Sequence, residues 1–228
     1  MGEIRTNGTY FAKGLLQGEV KLNGTDVQKI MYNNQMVFPG AEYLCSVGDV
    51  VIGTQTWAGC NLNVDTYLNG DPIPEVTSNS QWRILDDTET GAWCNYNNER
   101  EHGRKFGKLY NRYVIDDPRG IAPEGYRVPT AEDWYTLINY LGGNSVAGEK
   151  LKSTEYNGTN ESGFTGLIGG IRDTQGTFSG RYSQSLFWAK ATVSGLEEDA
   201  FSINSFSDIA GNSFSVDSYG YFIRLIKN

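Results

Sequence analysis

The clearest periodic signal in this chain is one amphipathic helix, and it limits what the rest can fold into. Trp134, Leu137, Ile138 and Leu141 fall at i, i+3, i+4 and i+7, which lines them along one helical face. Pro129 ends what precedes the helix, and Thr130 stands at the N-cap position. Asp133 follows three residues on, as in a capping box, and Gly142-Gly143 ends the run. A second, shorter helix is expected from Val146 to Leu151. An apolar helical face has to pack on another layer, and the remaining sequence offers short strands for that layer. With 28 glycines in 228 residues, turns cut the chain into short pieces. The expected class is α+β.

Asp49-Val50-Val51-Ile52-Gly53 reads as a strand entering a turn, and Gln55-Thr56-Trp57 as its return. Residues 63–92 carry Pro72, Pro74 and Asn69-Gly70 and read as a long surface loop pinned by Trp82, Ile84 and Leu85. Asp117-Pro118-Arg119-Gly120 reads as a turn. Gly169-Gly170 marks a close backbone approach; no helical pattern follows, so it is not read as a phosphate loop. The last third reads as strands: Leu186–Ala189, then Phe201 and Ile203 alternating with Ser202 and Asn204. Phe214 and Val216, alternating with Ser213, Ser215 and Asp217, suggest a third, and Tyr219–Ile226 the last. Such alternation implies one buried and one wet face. Asp208–Asn212 is expected as the hairpin loop between the second and third. Trp57, Trp93, Trp134, Trp188, Tyr110 and Phe164 are the expected core.

The first forty residues have another texture. Glu19-Val20-Lys21-Leu22 leads into Asn23-Gly24, a strong hairpin signal. Val27–Tyr32, Asn33-Asn34 and Gln35–Phe38 continue it, and Pro39-Gly40 closes it. We expect a small β-meander over residues 1–40, too small to bury a core alone. The main domain is then residues 41–228.

Composition removes several functions. A net charge of −8 argues against nucleic-acid binding and against a basic membrane patch. No apolar run approaches the roughly 20 residues of a membrane span. The opening Met1-Gly2-Glu3-Ile4-Arg5 shows no secretory pattern, so no leader is expected. The three cysteines, Cys45, Cys60 and Cys94, leave at least one thiol free or paired between chains, and whether Cys45 and Cys60 are bridged stays open. None has a short metal-ligand spacing. His102 is the single histidine and lies in the charged run Glu99–Lys105, so it reads as a solvated loop residue. No metal and no cofactor are expected.

An ordered set of motifs then carries a resemblance. It comprises Val51-Ile52-Gly53-Thr54-Gln55-Thr56-Trp57, Asn61-Leu62-Asn63, Trp93-Cys94-Asn95-Tyr96-Asn97-Asn98 and Phe106-Gly107-Lys108-Leu109-Tyr110-Asn111. Ala122-Pro123-Glu124-Gly125-Tyr126-Arg127-Val128-Pro129-Thr130, Glu132-Asp133-Trp134, Leu151-Lys152-Ser153 and Gly163-Phe164 follow. Gly169-Gly170-Ile171-Arg172, Phe187-Trp188 and Gly220-Tyr221-Phe222 complete it. Residues 46–228 resemble the Fibrobacter succinogenes major paralogous domain, a family of bacterial surface and phage proteins. The resemblance implies a C-type lectin-like fold, in the variant shared with formylglycine-generating enzymes and retroelement-diversified proteins. Here Ala58-Gly59-Cys60 replaces the family's Met-Ala-Glu, and Leu225 stands where a cysteine is common, so no terminal disulfide is expected. The segment before the last strand is rich in Ser and Asp where diversified members are rich in Asn and Tyr.

The resemblance implies a displayed face around residues 181–217. Its candidate contacts are Arg181, Tyr182, Gln184, Glu197, Glu198, Asp199, Asn204, Ser207, Asp208 and Asn212. The expected function is that of a non-enzymatic virion protein, a fibre, appendage or decoration. Its partners would be itself as a homotrimer, other virion proteins through residues 1–40, and a host-surface glycan or protein. A bacterial cell-surface adhesin of the same fold is the alternative. An enzyme is disfavoured: formylglycine-generating relatives use cysteines in the C-terminal half, which this chain lacks, and iron-dependent relatives need several histidines. The calcium-site motifs of lectins are absent, Asp71-Pro72-Ile73-Pro74-Glu75 being the nearest.

Overall fold

The structure, a computed structural model, describes residues 48–190, 199–213 and 215–228, together with the backbone of four short strands before residue 38. The chain divides into two compact units, Met1–Leu44 and Cys45–Asn228.

In the first unit β1 (Lys21–Leu22) pairs antiparallel with β2 (Thr25–Asp26), and β3 (Ile30–Tyr32) with β4 (Gln35–Val37). Leu22 faces Thr25 and Tyr32 faces Gln35, so each connection is two residues long, as Asn23-Gly24 and Asn33-Asn34 require. Among the described residues no ladder joins the two pairs; the remainder of the meander expected over residues 1–40 lies outside the described residues.

The second unit starts with β5 (Val50–Ile52) and β6 (Gln55–Trp57). Two short helices follow, α1 (Asn79–Arg83) and α2 (Leu85–Thr88), within the stretch expected to be loop. Trp82 and Leu85 are buried there as anticipated, whereas Ile84 is exposed. Next come β7 (Trp93–Cys94), α3 (Arg100–Phe106), β8 (Leu109–Tyr110), α4 (Arg112–Asp116) and β9 (Tyr126–Arg127). The amphipathic helix is α5 (Ala131–Tyr140), and α6 (Asn144–Leu151) starts two residues before its expected position. The remainder is β10 (Gly169–Arg172), β11 (Phe178–Arg181), β12 (Gln184–Trp188), β13 (Ala200–Asn204), β14 (Ser207–Ser213) and β15 (Ile226–Lys227). Helices and sheets are interspersed, the α+β class.

A five-stranded sheet runs β11-β10-β12-β13-β14, and a four-stranded one β5-β6-β15-β9. In the second, Ile226 opposite Trp57 joins the end of the unit to its beginning. In the larger sheet β10 is buried throughout and β12 nearly so, whereas β13 shows the expected alternation, with Phe201 and Ile203 buried and Ser202 and Asn204 half-buried. Phe187, Phe201 and Ile203 turn to the side of α5, where Trp134 stacks on Phe201 with centroids 5.5 Å apart. Leu186, Trp188 and Ala200 turn the other way, into a second cluster with Tyr110 and Tyr221. Half-buried Ser202 bonds a backbone carbonyl. All six expected core aromatics are buried.

Buried cations tie the loops to this core. The Arg172 guanidinium donates to the carbonyls of Gly176, Val76 and Thr77 and packs 4.3 Å over Trp82. Arg224 donates to Asn61 Oδ1 and to the carbonyls of Ala58 and Phe164. Gly170 allows the expected close approach: at φ +83°, a Cβ there would lie 2.6 Å from the Ser179 carbonyl oxygen.

Four expectations fail. His102 is buried on α3, its Nδ1 2.9 Å from the Tyr96 carbonyl and its ring edge-on to Tyr96. The charged run is simply the exposed face of a short helix whose other face carries His102 and Phe106. Residues 208–212 are strand and not hairpin loop. The turn lies earlier, at Ser205-Phe206, because α6 packs along the outer edge of β14. The α6 face bearing Asn144, Gly148 and Lys152 follows that edge. A Cβ on Gly148 would fall 2.6 Å from the carbonyl oxygens of Asp208 and Ile209, and Lys152 Nζ donates to the Ser207 carbonyl at 2.8 Å. The expected third strand around Val216 is accordingly absent; Phe214 lies outside the described residues. In place of a strand from Tyr219, isolated bridges at Gly220, Tyr221 and Phe222 precede β15.

Candidate functional site

Two turns come together at one end of the five-stranded sheet. One, at Tyr182-Ser183, joins β11 to β12; the other, at Ser205-Phe206, joins β13 to β14. Ser205 fastens them. Its amide donates to the Ser183 carbonyl at 2.9 Å, its hydroxyl to the Tyr182 carbonyl, and its own carbonyl accepts from Asn157 Nδ2 at 3.4 Å. Ser205 is itself buried, which holds both turns in one arrangement.

Six of the sequence-derived candidates gather here. Gln184 and Asn204 face each other across β12 and β13. Tyr182 is 53% exposed at φ +67°, a left-handed conformation that costs a tyrosine free energy and is fixed by Ser205. The Arg181 guanidinium lies 4.5 Å over the Tyr182 ring, and its Nε is buried with no hydrogen-bond partner. Asn204 Oδ1 accepts from the Phe206 amide at 2.8 Å, and Ser207 Oγ from the Ile209 amide at 3.1 Å. Asp208 is exposed, 3.6 Å from the buried ammonium of Lys152.

The other candidates are not part of this tip. Asp199 and Asn212 stand towards the opposite end of β13 and β14. Asp199 binds Arg112 and accepts from the Ser215 hydroxyl, contacts that hold the fold together. Burial, then the neighbouring carboxylates of Asp199, Asp86 and Asp116, push the carboxyl of nearby Asp217 up against the opposing pull of Arg112. Glu197 and Glu198 lie outside the described residues.

Two residues of the tip escaped the sequence reading. Phe206 is 82% exposed and Ile209 60% exposed, on and just after the β13–β14 turn. Phase was the available signal: Phe201 and Ile203 point inward, so an apolar residue at 206 falls out of step with the strand and must face solvent. Tyr182, Phe206 and Ile209 are thus exposed apolar side chains on or just after the two joined turns, among polar neighbours.

Cys94 is a free thiol, buried and pushed up to about 12 by desolvation, so at neutral pH it is neither exposed nor ionised. Cys60 is disulfide-bonded, to a partner outside the described residues. Among the described residues no three His, Cys, Asp or Glu side chains converge as metal ligands would. No helix among them is long and apolar enough to cross a membrane.

Compared with known proteins, the chain matches no curated protein and no solved structure significantly. A family model does match, that of the Fibrobacter succinogenes major domain, over residues 50–227. That match takes in every element of the second unit, from β5 through the tip to β15, and the chain belongs to the Fibrobacter succinogenes major domain family.

Proposed function

We propose that this chain is a non-enzymatic binding module. Its main domain, of C-type lectin-like architecture, presents the tip around Tyr182 and Phe206 to a ligand. Residues 1–40 attach it to other virion proteins and assemble it as a homotrimer on a phage particle, where it serves in attachment to a host surface. One observation carries the binding reading: a domain that buries its tryptophans leaves Tyr182 and Phe206 exposed on two turns locked by a buried serine, with Ile209 exposed just beyond them. The paired terminal strands, two adjoining helices and long loops support the lectin-like assignment. The inert settings of Cys94 and His102 support a role without catalysis.

The test is binding of the full chain to a panel of bacterial envelope preparations on a biosensor, beside the variant Y182A/F206A/I209A. Saturable binding by the natural chain, lost in a variant that melts at the same temperature, is the expected result. Equal binding by the variant, or no binding across the panel, would contradict the proposal. The matched family carries the name of a bacterium, which favours one alternative setting, a bacterial cell-surface adhesin. Protease shaving of intact cells, set against mass spectrometry of purified particles, separates the two.

A further inference from the structure

Resting on that reading of the tip, we propose that its ligand is a carboxylated saccharide, a glycan bearing uronic- or sialic-acid-type residues. Arg181 motivates this. Among the described residues its guanidinium makes no ion pair and no side-chain hydrogen bond, and it lies 4.5 Å over the Tyr182 ring. A planar cation clamped on an aromatic ring is pre-oriented for a planar carboxylate, which accepts two parallel hydrogen bonds from such a fork. The surrounding side chains are rich in uncommitted donors. Asn204 spends its oxygen on the Phe206 amide and Ser207 its lone pair on the Ile209 amide, which leaves the Asn204 amide protons and the Ser207 hydroxyl proton free. Gln184, opposite Asn204, adds another amide. Asp208, the carboxylate at the tip, faces the buried ammonium of Lys152 and is partly neutralised by it.

A donor-rich surface selects an acceptor-rich ligand. Tyr182 is held rigid by its fixed backbone and by the arginine, and its exposed ring offers a flat apolar platform for the C–H face of a pyranose. Phe206, on the other turn, is a second exposed ring. Carboxylate, ring oxygens, hydroxyls and an apolar face occur together in acidic sugars. The chain as a whole carries a net charge of −8, so a ligand of the same sign has to be recognised by a local cation.

The experiment is a glycan array carrying uronic- and sialic-acid-terminated glycans beside their carboxyl-reduced neutral counterparts, probed with the full chain. The acidic members are expected to be retained at least about tenfold better than their neutral counterparts, with retention falling as salt rises. R181Q is expected to remove that preference at an unchanged melting temperature, and R181K to restore part of it. Equal retention of acidic and neutral members, or an R181Q chain that keeps the preference, would overturn the ligand class. So would an empty array. If the array is empty but envelope binding is still lost in Y182A/F206A/I209A and survives glycan-destroying periodate, the tip is a binding site for protein, and only the saccharide assignment fails.

Discussion

Arg224 is buried in the core beside Phe164, 4.4 Å over its ring, with three oxygen acceptors and no carboxylate among the described residues. Burial alone pulls its guanidinium below the ordinary arginine range. The side chain is therefore costly to hold there, and what it provides is satisfaction of the Ala58 and Phe164 carbonyls, which would otherwise be buried without donors. Arg224→Leu should lower stability by about 3 kcal/mol. Urea unfolding at neutral pH measures this, and a loss below about 1 kcal/mol would mean that water enters and replaces the guanidinium. Nothing local in the sequence distinguishes the buried arginines Arg172 and Arg224 from surface ones. Their burial is decided by carbonyls from loops as far apart as residues 58 and 164, and such meetings leave no local pattern.

The capping box of α5 was legible because it is local. Thr130 Oγ1 accepts from the Asp133 amide at 3.3 Å, and Asp133 Oδ2 accepts from the Thr130 amide at 2.7 Å. Asp133 also binds Arg127 of β9, which ties the helix start to the four-stranded sheet. Burial raises the Asp133 carboxyl, but Arg127 and the Thr130 donors outweigh it and hold the group below the usual carboxylate value. A depressed folded value means stability that is present above the ordinary carboxylate range and lost as pH falls through it. Asp133→Asn should therefore cost about 1 kcal/mol at pH 7, and the gap to the natural chain should close as pH falls through the depressed value of the folded carboxyl. Thermal melts across that range test it; a gap independent of pH would assign the loss to shape and not to charge. The β13–β14 hairpin shows where local signals mislead. Its turn residues, Ser205-Phe206, are ordinary, whereas Asp208–Asn212 carry the glycine and asparagine of a typical loop. The strand persists through them because α6 lies against its edge at Gly148 and Lys152, a tertiary contact no hairpin rule contains. Of the candidate contacts, Arg181, Tyr182, Gln184, Asn204, Ser207 and Asp208 lie on or next to the two turns, whereas Asp199 and Asn212 lie towards the other end of β13 and β14, a separation that only the strand register defines.

At the scale of the molecule, the account assigns the first unit to assembly and the second to recognition. The described strands of the first unit are two and three residues long, too short for a core of their own, which is the ground for proposing that it assembles with partners. Light scattering should return a trimer for the full chain and a monomer for a chain starting at Ala41. A full-length monomer would remove self-assembly from the proposal and leave residues 1–40 as a docking segment only. The central claim concerns the tip, and hydrogen exchange on the envelope-bound chain tests it most directly. Added protection should concentrate in residues 181–184 and 204–209, the segments that Ser205 locks together. Protection confined to the loops around α1 and α2, with the tip unchanged, would contradict it.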